Sequence, residues 1–354
     1  MRYFLARVVA VLSLFVAVSP MVAQTPVKPW PVRVVIVTTF EVGKDTGDVP
    51  GEFQFWVERE HLDEVVPFPG GTHPLRTNKD HTILGVVSGT TLVNSTASMM
   101  ALGLDPRFDL THAYVLINGI AGVDPKIASM GSAAWAKFVV NDVAREIDPR
   151  EAPKDWPYGD FPTSAKRPDP PSVTVPEWMD SDAFALNSKL VDWAYGLTKD
   201  VKLGDDEKVA AFRALFTGDD FAAGRKPPFV LIGDTFASDK YWHGTLLTKF
   251  AEDWVRLWTQ GQGVFAMTEM EDAGFMEAIN RLNAMGRMDK QRVLVLRTGS
   301  NYCEQQPGHD AVESVTAPYI GGKLALESAY SVGSVVVNKL VKDWPETRDT
   351  IPGR

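Results

Sequence analysis

The chain has 354 residues, 45% of them hydrophobic and 23% charged, with a formal net charge of -9 at pH 7. This is a globular composition with room for one large core or two modest ones. The acidic balance argues against a nucleic-acid binder, which needs a basic face to neutralise phosphates, and Arg33, Lys79 and Lys137 stand isolated rather than clustered.

The N-terminus opens with a short basic segment, Met1 to Arg7, followed by an apolar run at 8–18 and by Ser19-Pro20-Met21-Val22-Ala23. Basic, apolar, then breaker and small residue is the order of a secretory signal peptide, here with cleavage expected after Ala23. An uncleaved anchor is the alternative, but the run is shorter than the roughly 20 residues of a membrane span. The mature chain, 24–354, is therefore expected to be exported, periplasmic and without a membrane span. Cys303 is the sole cysteine, so an intramolecular disulfide and a Cys-based metal site are both excluded.

In chain order, the β-branched run at 32–39 predicts a buried parallel strand, followed by a polar, Gly-punctuated loop at 40–48. A second strand is predicted at 82–87, opening into Ser88-Gly89-Thr90-Thr91 and a small-residue helix at 92–102. A third strand at 113–118 is expected to end in a turn, Gly119-Ile120-Ala121-Gly122. Residues 147–176 are rich in proline with Trp156 and Tyr158 interspersed, and Trp178 follows. They predict an ordered lid, the first part of an insertion at 147–227. Helices are predicted at 182–197 and 205–216, and a strand at 228–232 followed by Gly233-Asp234-Thr235-Phe236. A helix at 245–260, a strand at 264–267, a helix at 270–285, a strand at 293–297 and a helix at 322–344 complete the chain. Strand, small-residue loop and helix alternate as in an α/β domain, and ligands of open α/β sheets bind at the carboxyl ends of the strands.

Those strand ends carry the chemistry. Glu271 opens a helix, where the positive helix end favours a carboxylate, and the paired hydroxyls of a ribose would satisfy it bidentately. The structural alternative for Glu269, Glu271 and Asp272 is a charged first turn. Asn301 donates and accepts together, which suits a purine N7 and an adjacent carbonyl. Phe236 could stack on the base or be core, and His243 could touch a ribose hydroxyl or be an unrelated surface residue. Neither small-residue turn has the spacing of a dinucleotide or P-loop motif, so no cofactor is called for. The histidines lack metal-ligand spacing.

Four segments together resemble the purine nucleoside permease family, within the nucleoside phosphorylase and nucleosidase superfamily. They are 40–53 (FEVGKDTGDVPGEF), 118–122 (NGIAG), 268–274 (TEMEDAG) and 297–302 (RTGSNY), and the resemblance runs from Val32 to Trp344. It implies an α/β fold with a central mixed, partly barrel-like sheet flanked by helices. It also implies a ribose held by Glu271 and Met270, a base beside Phe236 with its N7 side on Asn301, and a phosphate-or-water pocket at Ser88, Gly89 and Gly119.

Two departures bear on the chemistry. Relatives that cleave by hydrolysis typically carry an acid at the Asn301 position, and Asn cannot supply that proton. The Arg that phosphorylases commonly place before the Gly-x-x-Gly segment is replaced here by Ile117 and Asn118, leaving a phosphate dianion without its main charge partner. The expectation is a purine nucleoside site that cleaves the N-glycosidic bond by hydrolysis rather than phosphorolysis, with Asn301 and Glu41 catalytic and Glu41 activating water. The alternative is a non-catalytic periplasmic nucleoside-binding protein supporting uptake. The partners implied are a purine nucleoside, phosphate if the reaction is phosphorolysis, and by analogy further copies of the chain.

Overall fold

The β-branched run near the start forms a strand, Val34–Thr38 (β1), with every residue buried, as expected where helices cover both faces of a sheet. A computed structural model describes residues 28–163 and 182–353. The expected signal peptide, Trp178 and the end of the expected lid lie outside the described residues.

The other strands of the main sheet are Glu64–Val66 (β2), Leu75–Thr77 (β3), Ile83–Val87 (β4), Tyr114–Val123 (β5), Ala133–Trp135 (β6), Phe138–Asn141 (β7), Ala183–Ala185 (β8), Val230–Ile232 (β9), Asp234–Ala237 (β10), Phe265–Glu269 (β11) and Val293–Tyr302 (β12). The helices are Gln54–Arg59 (α1), Thr91–Leu104 (α2), Ser188–Thr198 (α3), Glu207–Arg213 (α4), Thr245–Trp258 (α5), Asp272–Ala284 (α6), Ala311–Val315 (α7), Gly322–Lys342 (α8) and a short Trp344–Thr347 (α9). The twelve strands run β8-β7-β10-β11-β5-β1-β4-β3-β2, with β12 beside β5 and β6, and β9 beside β6. Parallel pairs dominate the centre and antiparallel ones the margins, so the sheet is mixed.

The feature that positions the site is a change of partner along β5. Its first half, Tyr114 to Ile117, pairs with β1, whereas Gly122 and Val123 pair with β11. The opposite edge stays on β12 throughout. Between the two partners, the outer edge of Asn118 to Ala121 has no strand beside it. Gly119 to Gly122 is therefore not the turn expected from its glycines but part of a ten-residue strand. Gly119 is required for a different reason: a Cβ there would collide with the Glu52 carboxylate and meet Arg297 Nη1 at 2.7 Å.

Two other expectations shift. Gly233-Asp234-Thr235-Phe236, expected as a loop, contributes most of strand β10. The expected helix at 182–197 starts with a strand and becomes helical only after Asn187, whose side chain accepts from Leu190 N. Residues 147–163 are anchored rather than loose. Trp156 is 5% exposed and donates to the Asp160 carbonyl at 2.7 Å, while the Tyr158 hydroxyl donates to Asp253 on α5 at 2.7 Å.

The largest core cluster fills the space between the sheet and α2, α6 and α8. Helices α2 and α6 touch at Gly274, where a Cβ would meet the Leu92 carbonyl at 2.5 Å. No described helix is long and apolar enough to cross a membrane.

Candidate active site

Where β5 changes partner, a cavity of about 300 Å³ opens beyond the ends of β1, β11 and β12. Thr39, Phe40 and Thr90 line it from the β1–β4 side, Ile120 to Gly122 from β5, Thr268 to Glu271 from β11, and Ser300 and Asn301 from β12. Tyr241, Trp242 and Tyr319 supply aromatic wall. Pockets that bind small ligands combine an apolar wall with a few fixed polar groups in this way.

The polar groups are fixed by one another. Helix α6 begins where the Glu269 carboxylate accepts from the backbone N–H of Glu271 at 2.6 Å and of Asp272 at 2.7 Å. That cap turns the Glu271 side chain away from its own helix. Its Oε1 accepts from Thr91 N at 3.2 Å, and its Oε2 from Met270 N at 3.3 Å and Arg297 Nη2 at 3.2 Å. Arg297, 1% exposed, also donates to Asp272 Oδ1 at 2.6 Å and to the Ile120 carbonyl at 3.3 Å. Glu271 and Met270, expected to hold a ribose, both line the cavity. The charged first turn is real as well, with Glu269 and Asp272 building the platform under Glu271.

Glu52 is the residue that sequence reasoning missed. It is 6% exposed, lines the cavity, and occupies the unpaired edge of β5. Its Oε1 accepts from Ile120 N at 2.7 Å, and its Oε2 from Thr39 N at 2.7 Å and Thr39 Oγ1 at 2.8 Å. Burial raises its pKa from 4.5 to about 7, with Arg297 pulling the other way and Glu271 adding to the rise. Glu41, expected to activate water, is not on the cavity wall. Its two oxygens accept from the backbone N–H groups of Val42, Gly51, Phe53 and Gln54, which fastens the 41–51 loop to the start of α1. The one signal that could have distinguished them is position: Glu52 stands at the entry to α1, two residues before its first helical residue.

Four buried carboxylates (Glu52, Glu269, Glu271 and Asp272) thus surround a single guanidinium. Burial raises Glu269 well above the usual carboxylate range and raises Glu271 too, against the opposing pull of Arg297. For Arg297, burial disfavours the charge, but the four acids outweigh it. The cavity therefore presents mainly acidic side chains, suited to a ligand with hydroxyl or amino donors. It is poorly suited to an anion: the first two amides of α2 are already taken, Thr91 N by Glu271 and Leu92 N by Asp239 at 2.8 Å. Among the described residues, Lys240 is the one cation on the wall.

The other expected residues are distributed as follows. Asn301 lines the cavity, with Nδ2 donating to the Tyr302 carbonyl at 3.0 Å and Oδ1 accepting from Ser300 Oγ at 3.1 Å. Phe236 is 2% exposed in an aromatic cluster with Trp242, Phe250 and Phe265, and Trp242, not Phe236, reaches the wall. Ser88 and Gly89 lie one step behind it, where Ser88 N donates to the Thr38 carbonyl and Thr90 lines the cavity instead. Gly119 faces the Glu52 carboxylate. His243 borders a second cavity adjoining Asn301 rather than the Glu271 end. No group of three or more His, Cys, Asp or Glu among the described residues is arranged to hold a metal ion.

The sequence profile of the purine nucleoside permeases matches residues 31–352. A probable purine nucleoside permease of Schizosaccharomyces pombe is 31% identical over 277 residues, covering 75% of this chain and 78% of its own length. A purine nucleoside permease of Candida albicans is 29% identical over 301 residues, 82% of this chain and 72% of its own. In fold, the chain is similar to a futalosine hydrolase of Helicobacter pylori, with a TM-score of 0.53 and 15% identity over 87% of this chain and 98% of that one. It is likewise similar to a 5′-methylthioadenosine/S-adenosylhomocysteine nucleosidase of Neisseria meningitidis, with a TM-score of 0.51 and 14% identity over 87% and 99%. The α/β architecture, with a central mixed sheet flanked by helices, is thus that of the nucleosidases, and by sequence the chain belongs to the purine nucleoside permease family.

Proposed function

We propose that the chain binds purine nucleosides in this cavity and hydrolyses their N-glycosidic bond. Glu52 carries the conclusion. It is a carboxylate on the cavity wall with a pKa of about 7, matched to accepting a proton from water at neutral pH. The ribose lies on Glu271 and Met270, and the N7 side of the base on Asn301. Water gives a proton to Glu52 while its oxygen bonds C1′. The C1′–N9 electron pair departs with the purine, which takes a proton from solvent. Positive charge develops on the sugar beside the Glu271 side chain, which Arg297 Nη2 and two backbone amides hold in place, and preorganised electrostatics of this kind are a large source of transition-state stabilisation.

Water is favoured over phosphate as the attacker. Arg297 is held by Asp272 and Glu271, and the α2 amides that could receive an anion are occupied. Incubation of the purified protein with adenosine, inosine and guanosine should release free base without phosphate and no faster with it. A strict phosphate requirement would overturn the hydrolytic assignment.

A second reading, a nucleoside-binding protein that supports uptake, is favoured by one observation: Asn301 has no acidic proton for the leaving base. Tight nucleoside binding with no base release under any condition would establish it. We also propose that the protein acts after export, as the basic, apolar and small-residue order of 1–23 suggests. Sequencing of the secreted chain should then begin at Gln24, and a start at Met1 would refute this.

A further inference from the structure

The central cavity continues past Asn301 into a second one of about 390 Å³. Tyr241, Ser300, Asn301 and Tyr319 belong to both walls. At about 300 Å³ the central cavity sits at the small end of ligand pockets, a size that suits an unsubstituted nucleoside. The neighbouring space is surplus to it.

Its chemistry is apolar. Met130, Phe212, Tyr302, Val315, Pro318 and Ile320 line it, with the rings of Phe212 and Tyr302 stacked 6.1 Å apart. Among the described residues, His243 and Glu304 are the two on its wall that could carry charge near neutral pH. Burial lowers the pKa of His243, leaving the imidazole neutral at pH 7. Glu304 is 1% exposed, its pKa is raised by burial, and its Oε1 lies 3.8 Å from Lys126 Nζ, outside this cavity. At the mouth, Tyr241, Val315, Tyr319 and Ile320 are between 37% and 63% exposed. That leaves apolar surface open to solvent beside a buried polar site, an arrangement more often associated with ligand contact than with a resting surface.

Resting on the nucleoside reading of the central cavity, we infer that the second cavity is a subsite for an apolar substituent on the base. The preferred ligands are then purine nucleosides with an alkyl or benzyl group on the 6-amino nitrogen. The base edge held by Asn301 is the edge that faces the shared wall, so a group attached at position 6 projects past Asn301 into the apolar space. An anionic substituent would find no lysine or arginine among the described residues of that wall.

Binding of adenosine and of N6-benzyladenosine to the full chain carrying Glu52→Gln, which keeps both ligands intact, tests this by calorimetry. The benzylated nucleoside should bind at least tenfold more tightly. Val315→Trp, at a position 40% exposed, should reduce that advantage to threefold or less, and Ala317→Phe, in the exposed loop that follows, should act in the same direction. Equal or weaker binding of the benzylated compound overturns the inference, as does an advantage that survives both substitutions. If neither nucleoside binds, the nucleoside reading itself fails, and the subsite with it.

Discussion

Replacing Glu52 by Gln is expected to lower the rate of base release by about 10²–10⁴-fold, the usual contribution of a positioned general base, while making the protein more stable at alkaline pH. Both effects come from the same buried carboxylate. In the folded chain it titrates at about 7 rather than 4.5, so the folded state keeps a proton that the unfolded state has already released between those values. Stability therefore falls as pH rises through this window. Above about pH 7 the full cost of holding Glu52 ionised is reached, about 3 kcal/mol from the size of the shift. Gln cannot ionise and escapes that cost. It does leave one of the amides of Thr39 or Ile120 without its acceptor, a loss of about 1 kcal/mol. Denaturant unfolding should thus show Glu52→Gln more stable than the parent by about 2 kcal/mol at pH 8 and nearly equal at pH 5. The parent kcat/KM should rise with pH through about 7. A variant with parental activity, or one destabilised at pH 8, would remove Glu52 from its assigned role.

Arg297→Met should have the largest effect on stability. It leaves Glu52, Glu269, Glu271 and Asp272 buried around an apolar side chain, and breaking a buried pair by removing one partner costs about 3–5 kcal/mol. The loss should shrink toward pH 5, because carboxylates deprived of their cation take up protons more readily. Adding Asp272→Asn should recover part of it, since Asp272 makes the shortest contact with the guanidinium, 2.6 Å. A double-mutant cycle by urea unfolding measures the coupling. A loss below 1 kcal/mol, or strict additivity with Asp272→Asn, would show that Arg297 does not hold this cluster together.

Much of the architecture could be read from local pattern. The β-branched runs around Val35, Leu84 and Leu294 bury strands on both faces, and the helices at Thr245–Trp258 and Asp272–Ala284 begin and end within a few residues of expectation. Glu271 was legible as a cavity-facing carboxylate because a helix start is a local feature, and Asn301 because the strand before it is strongly apolar. What escaped was non-local. The change of partner along β5 depends on where β1 stops and β11 arrives, about 150 residues away in the sequence, so its glycines suggested a turn. Glu41 follows the end of β1 and seemed the natural base, but only the folded loop shows its oxygens taken by four amides. Glu52 lies at the end of the 40–53 segment, where nothing local singles it out from Glu41, and it acquires its environment from Thr39, Ile120 and Arg297. Phe236 was ambiguous between base and core, and its neighbours place it in the aromatic cluster.

Across the gap in β5, the Glu52 side chain stands in for a missing rung of the ladder. One oxygen takes an amide from the strand and the other takes one just past the end of β1. The same residue is thereby a seam of the sheet and a wall of the cavity, and the two roles cannot drift apart. Any shift of β5 relative to β1 moves the carboxylate with it, and any proton gained or lost on the carboxylate is felt by two backbone amides. A sheet edge of this kind ties the protonation of one side chain to the hydrogen bonding of two chain segments at the centre of the molecule.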